Sequence, residues 1–291
     1  MRIPQRLLLL GSSGYLGRTL TTLMQEQPVT LFPTYRTTTL FPQALRYDFW
    51  RDDLADFVRE QKIDAVIIAA NMAYEAVDPL FDGKLYRRRV NQLVQACMHC
   101  RFIYISSDGI FDGRQGAYTE SDPPHPTTPY GQNLHFFEER VREFCENYCI
   151  IRPSYLYGYS LGELDRRLRR VREGLLQGEH FEYFDDMLKS PLDVNQAAQA
   201  IVQLALSNFV GIVHVAGKPM SVYHFYQAAM QALGVPVEHL HPISMPPETY
   251  LPRDTTLQTR LMKGLTGIEP LEIAEALTRY APVSLKPLEE A

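Results

Sequence analysis

Short apolar runs alternate with longer amphipathic stretches through the first half of the chain. The runs at 6–10, 29–35, 65–70, 102–105 and 149–153 read as strands, and those at 7–10 and 65–70 are apolar throughout. Unbroken apolar runs of this length suit parallel strands buried on both faces. Between them, apolar residues recur at helical spacing up to about Glu26, and again over 52–61, 85–98 and 130–146. Strands alternating with helices predict an α/β fold with a Rossmann-type, doubly wound parallel sheet over residues 1–153. Beyond Arg152 the pattern loosens. Helices are expected at 161–176, 196–206 and 271–280, the last with Pro270 at its first position. A strand is expected at 211–215, and Ser221 is placed to cap a helix running to 233. Residues 154–291 therefore read mainly as a smaller C-terminal substrate lobe over the strand ends, with some elements returning to the main sheet. No internal repeat interrupts this order.

The first strand runs straight into Gly11-Ser12-Ser13-Gly14-Tyr15-Leu16-Gly17, and a helix follows. Three glycines in this spacing let the turn tighten, let the backbone approach a pyrophosphate, and let helix and strand pack closely. The helix start offers N–H groups and a positive dipole end to the anion. Gly11, Ser13, Gly14, Tyr15, Leu16 and Gly17 are thus candidate dinucleotide contacts. After the second strand comes Arg36, where an acidic residue would hold a ribose hydroxyl and an arginine accommodates a 2′-phosphate. This points to NADP. Ala69 and Ala70, small residues ending the strand at 65–70, would let the cofactor lie against the backbone.

The chemistry concentrates in residues 104–134. A strand there delivers Ser106, Ser107 and Asp108, a Pro-rich loop follows, and Tyr130 opens a helix. Hydroxyls at the carboxyl end of a strand, followed by a tyrosine opening a helix, suit a reaction centre at the crevice of an open α/β sheet. One helical turn after Tyr130, on the same face, stands Leu134, where a cation would lower the phenol's pKa. His135 points about 100° away from that face.

Composition narrows the classes. The chain has 291 residues, 45% hydrophobic and 22% charged, with a formal net charge of −5. That balance gives no general reason to expect nucleic-acid binding. No apolar run is long enough to span a membrane, and the first, at 7–10, ends in a glycine turn, not a cleavage site, so a cytoplasmic protein is expected. Cys97, Cys100, Cys145 and Cys149 sit where helices end and strands begin. Their spacing matches no zinc ribbon, so free buried thiols and no metal are expected.

With these residues laid out, the chain resembles the extended short-chain dehydrogenases/reductases, and most closely their dTDP-4-dehydrorhamnose reductase branch. The resemblance rests on Gly11/Gly14/Gly17, Asp48-Phe49, residues 65–78, Val90-Asn91 and the Ser106–Gly113 segment. It continues through Tyr118–Gly131, Arg152-Pro153-Ser154 and residues 252–257. It implies that Ser107 orients a substrate carbonyl and Tyr130 donates the proton. It further implies that Asp48, Phe49, Tyr130 and Arg152 touch the cofactor, and that Asp108 and Arg253 contact a nucleotide-sugar substrate. The branch's lysine four residues after the tyrosine is replaced by Leu134, and its aromatic after the aspartate by Gly109. Both departures bear on activity, not fold. The expected function is an NADP-dependent reductase of 4-keto-deoxysugar nucleotides, weakened by the lost lysine. The alternative is a non-catalytic NADP- or nucleotide-sugar-binding sensor or regulatory subunit. No membrane partner is expected, and the resemblance leaves room for a homodimer.

Overall fold

The leucine run of β1 (Arg6–Leu10) lies between β2 (Thr30–Tyr35) and β4 (Ala65–Ile68). A computed structural model describes residues 4–73 and 81–282. β3 (Leu45–Arg46) extends the sheet beyond β2, while β5 (Arg101–Ile105) and β6 (Tyr148–Pro153) extend it beyond β4. The strand Gly211–Val215 pairs with β6 at the far edge. Every pairing is parallel, and the order 3-2-1-4-5-6 reverses between β1 and β4, where open α/β sheets bind ligands. Residues 74–78, part of one family-like segment, lie outside the described residues.

Side chains along β1 alternate between two cores, as the two-residue period of a strand dictates. Leu7 and Leu9 face α1 (Tyr15–Gln25), meeting Leu20 and Met24. Leu8 and Leu10 face the other side, which is built after α2 (Ala55–Glu60) from α3 (Gly83–Cys97) and α4 (Pro129–Phe144). All four leucines are at most 1% exposed, each stabilising the fold by about 1.5–3 kcal/mol. α5 (Arg166–Leu176) belongs to the lobe, whereas α6 (Val194–Leu206) returns to cover Leu7 and Leu9. α7 (Val222–Ala232) and α9 (Ile273–Arg279) complete a third core with α5 around Leu168, Phe225, Met230 and Leu277. α8 (Arg260–Thr266) adds Met262 to the α1–α6 side.

Two elements differ from the sequence reading. The helix expected from 161 begins at Arg166, behind a hairpin of Tyr159–Ser160 and Glu163–Leu164. Positive φ at Leu161 and Gly162 makes that hairpin turn, and the Asp165 carboxylate then caps α5 by accepting from Arg167 and Leu168 N–H. The last helix begins at Ile273, so Pro270 is not its first residue. The Gln196 side chain holds this segment instead, donating to Glu269 O and accepting from Leu271 N–H. The four cysteines are buried and free. Burial pushes the Cys100 thiol up to about 11 and those of Cys145 and Cys149 to about 12, so they serve as apolar filler.

His214, on the edge strand, is fully buried beside the backbone of Tyr118 and Gln258. Burial, followed by the charge of Arg152, pushes its pKa down to about 4. Between about pH 6.5 and pH 4 the unfolded chain therefore takes up a proton that the folded chain refuses, and stability falls as pH drops. Asp193, pushed up to about 6 by burial, acts oppositely over much of that window. The two effects mask one another in the native chain. Relative to His214→Phe, the native protein should lose about 2–3 kcal/mol between pH 7 and pH 4.5, checked by urea melts of both proteins at each pH.

Candidate active site

The glycine turn is a close-packed cradle. Gly11 has φ +91°, and a Cβ there would lie 2.7 Å from Ala70 N; one on Gly17 would fall 1.9 Å from Gly11 O. The Ser12 hydroxyl donates to Thr34 O at 2.8 Å and fastens the turn to β2. Gly14 precedes α1 and gives it no side-chain cap, and Gly14, Tyr15 and Leu16 line the cavity above, where a helix start favours an anion. That cavity, about 570 Å³, is lined by Gly11, Ser13, Gly14, Tyr15 and Leu16 from the turn, and by Ala69 and Ala70. On the far side it meets Ser107, Asp108 and Tyr130. Gly17 works by packing and does not line it.

At the end of β5, Ser107 caps a single 3₁₀ turn by accepting from Gly109 N–H at 3.2 Å, and donates to Asp108 Oδ1 at 2.9 Å. Asp108 is almost fully buried. Its other oxygen accepts from Ser154 Oγ at 3.0 Å, Thr255 Oγ1 at 2.7 Å and the Lys189 ammonium at 3.2 Å. Burial opposes its charge, but the Lys189 charge and the hydroxyls of Thr255, Ser107 and Ser154 outweigh it and hold the carboxyl below its ordinary pKa. Asp108 is thus a junction of four chain segments, its bonding capacity spent on protein.

Tyr130 enters α4 at the second position, behind Pro129 and the Thr128 cap, whose hydroxyl accepts from Gly131 N–H at 3.1 Å. The phenol oxygen accepts from Asn71 Nδ2 at 3.2 Å. Gly109 lets the ring approach, since a Cβ there would stand 3.3 Å from the Tyr130 ring. Leu134 is 3% exposed and packs into the α3–α4 core, outside the cavity. His135 leans toward Glu139, 3.8 Å away, and does not line the cavity. A cation does enter from elsewhere: Lys189, on the two-residue strand Leu188–Lys189, lines the cavity and donates to Thr255 Oγ1 at 2.7 Å. Arg167 lines it too, its guanidinium 3.8 Å over the Tyr155 ring. Sequence reasoning missed Asn71, Lys189, Ser154 and Thr255.

Three expected contacts stand elsewhere. Arg152 is 1% exposed and grips Glu138 of α4 through two bonds of 3.0 and 2.7 Å, so it braces α4 against β6 and does not line this cavity. Arg253 pairs with Asp186, and it is Thr255 of the same segment that reaches the centre. Asp48 accepts from Trp50 N–H and lies 3.6 Å from Arg36, which lines the cavity. It positions the arginine without lining the cavity itself. Phe49 lines an adjoining hollow of about 110 Å³ with Tyr35, Arg36 and Trp50.

Residues 5–284 match the model of the family described as RmlD substrate binding domain. The chain belongs to this family. Among RmlD-like relatives, a dTDP-4-dehydrorhamnose reductase of Aggregatibacter actinomycetemcomitans is 25% identical over 296 residues, spanning 94% of this chain and 97% of its own. The spore coat polysaccharide biosynthesis protein SpsK of Bacillus subtilis is 29% identical over 62% of this chain, which spans only 63% of SpsK. The methionine adenosyltransferase 2 subunit beta of Rattus norvegicus is 31% identical over half of this chain and 46% of its own. The solved structure of a hypothetical dTDP-4-dehydrorhamnose reductase from Sulfolobus tokodaii superposes with TM-score 0.79 at 24% identity, covering 92% of this chain and 98% of that one. The Bacillus anthracis dTDP-4-dehydrorhamnose reductase in complex with NADP gives 0.77 at 20% identity, covering 96% and 99%. These likenesses establish the RmlD-like Rossmann fold. No helix among the described residues is long and apolar enough to cross a membrane.

Proposed function

We propose that this chain is an NADP-dependent reductase of a nucleotide-linked 4-keto sugar. One observation carries the reading: the uncapped start of α1, the Ser107 hydroxyl and the Tyr130 phenol converge on a single cavity at the strand ends. The cradle fits a dinucleotide, because a Cβ at Gly11 or Gly17 would fill the space that lets the turn close under a pyrophosphate. In this reading Arg36 takes the 2′-phosphate and the hollow beside Phe49 takes the adenine. When bound, NADPH supplies the hydride. Ser107 turns its hydroxyl from Asp108 to the substrate's carbonyl oxygen, and Tyr130 gives that oxygen a proton while Asn71 holds the phenol in place. The Lys189 ammonium places positive charge where the carbonyl oxygen gains negative charge. Arg167 suits a substrate diphosphate, a planar fork meeting phosphate oxygens. The full-length match to the Aggregatibacter reductase and the NADP complex of the Bacillus anthracis enzyme support the same reading.

NADPH should bind more tightly than NADH, and Arg36→Ala should cost about 1.5–3 kcal/mol of NADPH affinity, roughly 10- to 150-fold. Fluorescence titration of both cofactors against both proteins checks this. Equal affinities, or no effect of the substitution, remove the 2′-phosphate argument. A second reading, a cofactor-binding regulatory subunit without turnover, is favoured by the buried Leu134 and by the match to an adenosyltransferase β subunit. Assaying NADPH oxidation with a panel of dTDP- and UDP-linked 4-keto sugars separates the two. Tight NADPH binding with no turnover on any of them favours the subunit.

A further inference from the structure

Away from the cavity, the lobe brings three histidines together across two parallel strands. Phe181–Phe184 pairs with Leu240–Ile243 so that Phe181 lies opposite Leu240 and Glu182 opposite His241. One residue earlier, His180 stands beside His239, the Phe181 N–H donating to His239 O at 2.9 Å. Strand alternation puts His239 and His241 on the same face. The His180 ring centroid is 4.3 Å from that of His239 and 5.5 Å from that of His241. One nitrogen from each ring lies within 4.8 Å of the other two. None of the three lines the Gly11–Lys189 cavity.

The geometry points to a divalent metal site of the zinc class formed by His180, His239 and His241. Tetrahedral zinc with Zn–N bonds of about 2.0–2.1 Å holds its ligand nitrogens about 3.3–3.4 Å apart. His180 Nδ1 and His241 Nε2 are already 3.3 Å apart, and one His239 nitrogen stands within 4.8 Å of both. An all-imidazole set suits zinc, nickel or copper and not magnesium or calcium, which need oxygen ligands. Glu179, adjacent to His180, is paired with Arg170, which leaves the fourth position to water on the exposed side of His180. The ion would join residue 180 to residues 239–241 and so fasten the two lobe strands, and through them the segment between, into one unit. This site is independent of the reductase reading.

Tag-free protein stripped with a chelator and titrated calorimetrically with zinc chloride tests it. Expected are one Zn²⁺ per chain, affinity lowered about tenfold or more by His180→Ala and by His241→Ala, and none of that loss in His99→Ala, an exposed histidine elsewhere. Co²⁺ should give the intense visible bands of a tetrahedral site in the native protein and not in the two variants. Melting temperature should rise with Zn²⁺ only where all three histidines are present, while in chelator the variants melt with the native protein. Equal Zn²⁺ affinity in native protein and variants, or no binding at all, overturns the assignment and reduces the 3.3 Å contact to an imidazole–imidazole hydrogen bond.

Discussion

Tyr130→Phe should slow reduction by about 10²–10⁴-fold, the usual worth of a positioned general acid, with NADPH affinity little changed. The substitution removes one oxygen and leaves the ring where Thr128, Pro129 and the open space over Gly109 put it. The binding half of the cavity, built from the glycine turn and α1, is untouched. Stopped-flow oxidation of NADPH with the best keto-sugar substrate, beside a cofactor titration, reads both quantities. A variant within tenfold of the native rate would show that another group delivers the proton, with the Lys189 ammonium first in line.

Lys189→Met should cost about 2–4 kcal/mol of folding stability. Breaking a buried ion pair from one side typically costs about 3–5 kcal/mol, and the figure is reduced here because the Lys189 side chain is 21% exposed. What remains is the Asp108 carboxylate, buried and held by three hydroxyls alone. Asp108→Asn added to Lys189→Met should recover more than half of the loss, since the stranded charge is then gone. Denaturant melts of the native protein, both single variants and the double form the cycle that measures this. Strict additivity would mean that lysine and carboxylate do not depend on each other.

The sheet was legible because its signals are local. Four leucines entering Gly11-Ser12-Ser13-Gly14 declare a buried strand and a phosphate-sized turn within one short segment, and Ser107 and Tyr130 stand at the end of a strand and the start of a helix. The centre's wiring was not local. Asp108 meets Lys189 and Thr255 across 81 and 147 residues, and no spacing in the chain announces such a meeting. The segment at 252–257 drew notice for Arg253, whose charge suits phosphate, but Asp186 engages that charge and the smaller Thr255 goes inward. Arg152 misled in the same way, because Glu138, one strand-to-helix contact away, pairs with it. The helix expected from 161 failed on backbone conformation, since apolar spacing carries no record of the positive φ at Leu161 and Gly162. The three lobe histidines depend on the register of two strands, which only the fold supplies.

The strand Gly211–Val215 hydrogen-bonds along residues 149–153 of β6, and α6 lies over Leu7 and Leu9. The sheet is therefore finished by sequence that follows much of the lobe instead of preceding it. In terms of gene architecture, the lobe is interleaved with the sheet and not appended to it. A cassette ending at 153 would carry β6 as a bare edge, inviting other chains to pair, and would leave the leucine face beside α1 without its cover. Recombination cannot hand this sheet to a new partner in one cut.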